Sequence, residues 1–99
     1  MEAIDRKFQI NAVCRAHHHL HGENDAVLFL AKDAALPATL RAYREECFRL
    51  GVDERQLKGI DLLIERVDRF QVENQSAVKL PDIDAGKEED YVNHPNQQS

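Results

Sequence analysis

The sequence is poor in features that usually reveal an activity. Its 99 residues include no tryptophan, one methionine and two cysteines, and no apolar run approaches membrane-spanning length. It has no glycine-rich phosphate loop, no catalytic constellation and no established zinc-ligand spacing. Because so short a chain has little room for a deep pocket, we expect a non-enzymatic protein without a resident cofactor.

An excess of positive charge is also missing. Residues 1–80 carry 12 basic and 13 acidic side chains, whereas residues 81–99 carry one basic and five acidic ones. A nearly neutral body with an acidic end argues against nonspecific nucleic-acid binding and against an anionic membrane surface. The composition predicts a flexible N-terminus over residues 1–6, a single domain over residues 7–80 and a disordered acidic tail over residues 81–99.

The two cysteines, Cys14 and Cys47, are too few for a disulfide framework. No signal-peptide pattern precedes them, so we expect reduced thiols and a cytoplasmic location. Buried free thiols are the expected state, and Cys47 in particular falls on an apolar helical stripe.

Two short segments have the pattern of strands. Phe8, Ile10, Ala12 and Cys14 alternate with mainly polar residues, which predicts a strand over residues 7–14. The continuous apolar run Ala26–Ala31 predicts a second strand over residues 26–32, after a polar connection at residues 15–24. We expect the two strands to pair in an antiparallel sheet.

A first helix is predicted over residues 33–50. Asp33 is its expected N-cap, and Gly51 is its expected left-handed C-cap. Pro37 falls within the first turn, where its missing N–H costs little. Its apolar stripe, spaced by three and four residues, consists of Leu36, Leu40, Tyr43, Cys47 and Leu50.

A second helix is predicted over residues 53–75, with Asp53 and Gln56 forming a capping-box variant. Its apolar stripe consists of Leu57, Ile60, Leu63, Ile64, Val67 and Phe70. Gly59 costs about 1 kcal/mol relative to Ala inside a helix, so we expect close approach to the first helix or the sheet there. The short connection favours an antiparallel helical hairpin.

These elements predict an α+β fold, in which a two-stranded antiparallel sheet packs on an antiparallel helical hairpin. Two strands alone leave open edges, and a domain of this size has a marginal core. We therefore expect a homo-oligomer, specifically a C2 dimer joined through strand edges or through the second helix.

A histidine-rich stretch is the one compositional oddity. His17, His19 and His21 alternate, so on a strand they face one way and, with Cys14, form a candidate Zn²⁺ or Ni²⁺ site. Glu23 or Asp25 would be further ligands. The competing interpretation is a solvated loop that happens to be rich in histidine.

A basic corner is the second candidate site. Lys32, Arg41 and Arg44 lie near the start of the first helix, where an anionic ligand such as a nucleotide would also meet backbone N–H groups. A helical hairpin is also compatible with a DNA-binding regulator. However, basic and acidic side chains alternate along both helices, which is typical of a salt-bridged surface.

The run from Glu23 to Asp33, followed by Leu40-Arg41-Ala42-Tyr43, resembles a pattern in small phage and prophage proteins. In that pattern an acidic turn leads into an apolar strand, then an Asp and then a helix that carries Leu/Ile-Arg-x-Tyr or Trp. The second helix ends a short way before a Pro-Asp, as Pro81-Asp82 follows the second predicted helix here. The similarity covers residues 23–82. It implies a mobile-element setting and brings no activity, so the leading hypothesis is an accessory protein that binds a host or phage protein.

Overall fold

The computed structural model describes residues 2–80. These residues divide into two compact units, an N-terminal unit of residues 2–28 and a helical unit of residues 29–80. The predicted acidic tail lies outside the described residues. The fold is α+β as predicted, with one two-stranded antiparallel sheet and two helices packed together.

The sheet of the N-terminal unit is a tight β-hairpin. β1 (Asn11–Val13) pairs with β2 (Leu20–Gly22), so that Ala12 lies opposite His21. The turn is closed by the His18 N–H, which donates to the Cys14 carbonyl at 2.7 Å. His18 itself has a φ of 60°, the left-handed region that a tight turn often requires.

The predicted second strand over residues 26–32 is wrong. The strand that pairs with β1 comes from the segment predicted to be a polar connection, and residues 26–32 form no strand. A local hairpin closes a shorter loop than pairing with residues 26–32 would, so it costs less chain entropy. The backbone N–H of Leu28 instead donates to a side chain, the Asp5 carboxylate, at 2.8 Å.

The first helix, α1 (Leu36–Arg49), begins three residues later than predicted. Ala35, not Asp33, is the N-cap, and Asp33 forms a turn just before the helix. The Asp33 carboxylate accepts the Ala35 N–H at 2.8 Å, and its carbonyl accepts the Leu36 N–H at 3.0 Å. The predicted capping carboxylate therefore does bind a backbone N–H, but one step before the first helical turn.

The end of α1 is a Schellman motif. Gly51 has a φ of 81°, its N–H donates to the Phe48 carbonyl at 3.1 Å, and the Val52 N–H donates to the Cys47 carbonyl at 3.0 Å. Val52 also packs on the buried cluster around Cys47, the apolar contact that accompanies this motif. The predicted role of Gly51 is confirmed.

Replacing Gly51 with Ala is expected to destabilise the helical unit by about 1–2 kcal/mol, the cost of a left-handed L-residue. A Cβ there would meet nothing within 4 Å, so the cost is conformational and not steric. Urea unfolding monitored by circular dichroism measures it. Gly59→Ala, measured in dilute solution, is the matched control, because Gly59 is helical and also faces open space, so that change is expected to stabilise the chain. An unchanged midpoint for Gly51→Ala would contradict the assignment.

The second helix, α2 (Glu54–Glu73), follows directly, and Asp53 caps it as predicted by accepting the Arg55 N–H at 2.8 Å. A short 3₁₀ helix (Gln75–Ala77) comes next. α1 and α2 pack around a small core of Cys47, Leu57 and Ile60. The thiol of Cys47 is therefore buried, as predicted.

Polar groups hold together the two chain segments that precede and follow the helical hairpin. The Gln71 side-chain amide donates to the carbonyls of Ala31 and Asp33 at 2.9 and 2.7 Å. The Lys79 N–H donates to the Lys32 carbonyl at 2.9 Å, and the Lys79 carbonyl accepts the Ala34 N–H at 2.8 Å. The chain entering α1 is thus tied to α2 and to the chain that leaves it.

Candidate functional site

The histidine stretch lies on the β-hairpin and its turn. The rings of His17 and His19 stack with centroids 5.8 Å apart, while His21 Nδ1 is 2.8 Å from Asp25 Oδ2. Cys14 is half-buried, and its N–H donates to the His19 carbonyl. Within residues 2–80, no group of three or more His, Cys, Asp or Glu side chains is placed to hold a metal ion. The structure thus brings together His17 and His19, and it pairs His21 with Asp25.

Acidic side chains organise the N-terminal unit. The buried Asp5 carboxylate accepts the N–H groups of Lys7, Phe8 and Leu28 at 2.6–2.8 Å. Burial by itself would raise the pKa of Asp5, but these three hydrogen bonds together outweigh it and lower the pKa. The predicted flexible N-terminal segment therefore contains the buried acidic group of this unit.

Two further carboxylates also bind the backbone here. Glu23 Oε1 accepts the Ile10 N–H at 2.8 Å, which lowers the pKa of Glu23. The pKa of Asp25 is lowered by its hydrogen bond with His21 and by the Gly22 N–H, which donates to Asp25 Oδ1 at 2.9 Å. Glu23 and Asp25, considered above as metal ligands, hold backbone and histidine groups of their own unit.

The basic corner is not a cluster of unpaired cations. Arg44 donates twice to Asp61, from Nε at 3.0 Å and from a terminal nitrogen at 3.3 Å, and this pairing raises the pKa of Arg44. Arg41 pairs with Asp68. Both ion pairs connect α1 to α2 and neutralise two of the three cations proposed to bind an anion, leaving Lys32 as the third.

The two sides of the hairpin differ in chemistry. At 3.6 residues per turn, Arg41 and Arg44 lie on one side of the buried stripe of α1, and Tyr43 and Leu50 lie on the other. On α2, the aspartates that pair with those arginines lie on one side of Ile60. Because the ion pairs join the helices along that side, the apolar residues beyond the other edge of each buried stripe share the opposite side.

That opposite side carries four large apolar side chains, named here the apolar face. Their exposed fractions are 55% for Tyr43, 65% for Leu50, 46% for Leu63 and 38% for Phe70. All four belong to the predicted apolar stripes, and the structure leaves them exposed while it buries Cys47, Leu57 and Ile60 of the same stripes. Two helices bury only the centre of each stripe, so its edge is left at the surface.

Outside the helices, Val27, Leu28, Phe29 and Leu30 form a consecutive run of exposed apolar residues. On α1 and α2, the other exposed apolar residues are more scattered. Phe48 and Val72 lie on the ion-paired side, near opposite ends of the hairpin, and Leu62 points away from α1. Val72 lines a shallow depression of about 590 Å³ whose other lining residues are Asp68, Gln71, Gln75 and Val78. The polar groups of Asp68 and Gln71 already bind Arg41 and backbone carbonyls, so the depression offers few groups for a ligand.

Comparison with known proteins does not show a family for this chain. The chain matches no protein-family model, and searches of curated proteins and of solved structures find no significant match. Neither helix in the described part of the chain combines the length and apolar content needed to cross a membrane. The surfaces of the chain itself, above all the apolar face, therefore provide the evidence for its function.

Proposed function

We propose that this chain is a non-enzymatic interaction protein that binds another polypeptide through the apolar face. The observation that carries the proposal is the exposure of Tyr43, Leu50, Leu63 and Phe70 along one side of the hairpin. Scattered single apolar residues are normal on protein surfaces, whereas a contiguous set is typical of an interaction site.

The size of the apolar face supports this proposal. Its four side chains expose roughly 300–400 Å² of apolar surface, since aromatic side chains bury about 150–250 Å² each when fully covered. That area is as large as the largest patch on many whole monomers, and here it belongs to a unit of about 50 residues. A partner helix or helical pair laid along it would remove this surface from water.

The setting of this interaction is also part of the proposal. The resemblance over residues 23–82 favours an accessory role in a phage or other mobile element, with a cytoplasmic host or phage protein as partner. The same face offers a route to the homo-oligomer expected from the small core. Because two residues of the apolar face lie on α2, a dimer formed through this face would be the predicted dimer that is joined through the second helix and not through strand edges.

The alternative functions have less support. A nucleotide site at Lys32, Arg41 and Arg44 would have to displace two interhelical ion pairs. A DNA-binding regulator needs a field of one sign, whereas Arg41 and Arg44 are paired with aspartates of α2 and Arg49 is paired with Glu46. A metal site at the histidines would have to recruit ligands beyond the His17–His19 pair.

Photocrosslinking in the native host tests the proposal. A photoreactive amino acid at position 63 is expected to form a covalent adduct with a polypeptide, because that side chain lies in the apolar face. The same amino acid at position 62 is the matched control, since Leu62 and Leu63 are 50% and 46% exposed but point in different directions. An adduct from position 63 alone supports the proposal; equal adducts, or none, contradict it.

A further inference from the structure

We infer that the polypeptide covering the apolar face is a second copy of this chain, in a twofold-symmetric dimer of helical hairpins. This inference rests on the proposed function, which it narrows to one partner. In such a dimer each copy presents the same face, so Tyr43, Leu50, Leu63 and Phe70 of both copies form one shared core.

Gly59 supplies an independent observation. The sequence predicted that this glycine allows close packing within the chain, but a Cβ at Gly59 would meet nothing within 4 Å. That prediction is wrong for the isolated chain, which gains no packing from a residue that weakens its helix. Gly59 lies one turn before Leu63, on the same side of α2 as Phe70. Because glycine has no side chain, a helix from a second copy could pack closely against α2 at this point, which would explain why a glycine stands here.

The charge of the helical unit favours a second copy over an oppositely charged partner. Residues 29–80 contain nine basic and nine acidic side chains, so the helical unit itself adds no net-charge repulsion between two copies, and the net charge of -5 of the whole chain comes from residues outside this unit. The rim of the apolar face carries both signs, with Glu46 (paired with Arg49) on α1 and Arg66 on α2. A rim of mixed sign is compatible with its own twofold image.

The area is also appropriate for a dimer. Two apolar faces together contribute roughly 600–800 Å² of apolar surface, which is about half to two thirds of the roughly 1,200 Å² at the lower end of specific interfaces. Within the helical unit, only Leu36, Cys47, Leu57, Ile60 and Val67 form the buried apolar core. A core this small gains proportionately more from association than a larger domain does.

Sedimentation equilibrium of the purified full chain tests the inference. The average mass is expected to rise from one copy to two across a concentration series. Leu63→Lys is expected to weaken association at least roughly tenfold, because it places an ammonium group in the shared core. Leu62→Lys, the control, is expected to associate like the unchanged protein. Circular dichroism spectra establish that both variants are folded.

Gly59→Ala gives a test that does not add charge. It is expected to raise the thermal midpoint in dilute solution, where the chain is monomeric, and to weaken association roughly tenfold through overpacking. A structural role within one copy would lower the midpoint instead. Association as tight as that of the unchanged protein would overturn the role given to Gly59.

A single-copy mass for the unchanged protein at every concentration, or equal association of Leu63→Lys and Leu62→Lys, would overturn the dimer. The crosslinking experiment separates this failure from failure of the proposed function. An adduct from position 63 with twice the mass of the chain supports the dimer. An adduct of any other mass from position 63 keeps the proposed function and overturns the second copy as partner.

Discussion

Replacing Ile60 with Ala is expected to remove a large part of the stability of the helical hairpin. Ile60 is only 4% exposed and packs with Cys47 and Leu57 at the centre of the core. Truncating a buried Ile to Ala costs about 2–5 kcal/mol, and a unit of this size has a total stability of only roughly 3–8 kcal/mol. Far-ultraviolet circular dichroism during urea unfolding measures the loss, because both long helices lie in this unit.

The control for this prediction is Leu62→Ala, two residues along the same helix. Leu62 is 50% exposed and points away from α1, so its truncation is expected to change stability by no more than about 0.5 kcal/mol. Equal losses from the two variants would mean that Ile60 does not hold the hairpin together. A small loss from both would place the stability of this unit outside its Cys47–Leu57–Ile60 core.

The helical hairpin could be predicted from sequence because its signals are local. The apolar spacing of each helix, the cap at Asp53 and the left-handed Gly51 all act within a few residues of the structure they specify. The start of α1 was predicted three residues early because Asp33 binds a backbone N–H in a turn as well as it would in a cap. In a turn and in an N-cap alike, the Asp carboxylate accepts a backbone N–H, so the residue type alone does not distinguish the two positions.

The strands were harder to predict than the helices because the pattern of apolar residues does not determine which segments pair. β1 and β2 leave Val13 and Leu20 exposed, so neither side of the β-hairpin is a buried apolar side. The β-hairpin is held by its turn and by backbone hydrogen bonds between the strands. The apolar run at residues 26–31 looks more like a strand than Leu20–Gly22 does. Its length and composition cannot distinguish a strand from irregular backbone held by side-chain hydrogen bonds.

The candidate site shows a different limit. Periodicity identified Tyr43, Leu50, Leu63 and Phe70 as apolar positions, but it cannot say whether an apolar stripe is covered by its own chain or by another. Likewise, the spacing of Arg41 and Arg44 predicted a basic corner, whereas their partners Asp61 and Asp68 come from α2. Pairing between helices depends on how they dock, which no local pattern encodes.

Asp5 was missed because one of its partners is distant in sequence. Its bonds to Lys7 and Phe8 form a local turn that an Asp at this spacing can signal. The third bond, from Leu28, spans 23 residues and makes Asp5 the connection between the start and the end of the N-terminal unit. A polar N-terminal segment therefore looked flexible from composition alone.

Replacing Asp5 with Ala is expected to destabilise the N-terminal unit by about 3 kcal/mol or more. The substitution removes an acceptor from three backbone N–H groups at once, and each buried unpaired donor costs about 1–3 kcal/mol before water or local rearrangement compensates. Amide hydrogen exchange at Phe8 and Leu28 measures this loss directly, because those N–H groups donate to Asp5. Faster exchange at both amides, with unchanged exchange in α2, is the expected result.

The same carboxylate makes the N-terminal unit sensitive to acid. Because the pKa of Asp5 is lower in the folded state than in the unfolded chain, the unfolded chain binds the proton more readily. The stabilisation is therefore fully present above the unfolded pKa of about 3.9 and is lost as pH falls through the lower folded value. Exchange at Phe8 and Leu28, corrected for the intrinsic pH dependence of exchange, is expected to lose protection below about pH 4.

Asp5→Asn separates the charge of Asp5 from its shape. The amide keeps one acceptor oxygen and has no acidic proton, so the variant is expected to be less stable at pH 7 and to lose the part of the acid dependence that Asp5 supplies. Glu2→Gln, an exposed change of the same charge, is expected to leave both unchanged. If Asp5→Asn kept the full acid dependence, the titrating groups would be Glu23 and Asp25, whose pKa values are also lowered. In that case the three N–H bonds at Asp5 would stabilise the unit through geometry and not through charge.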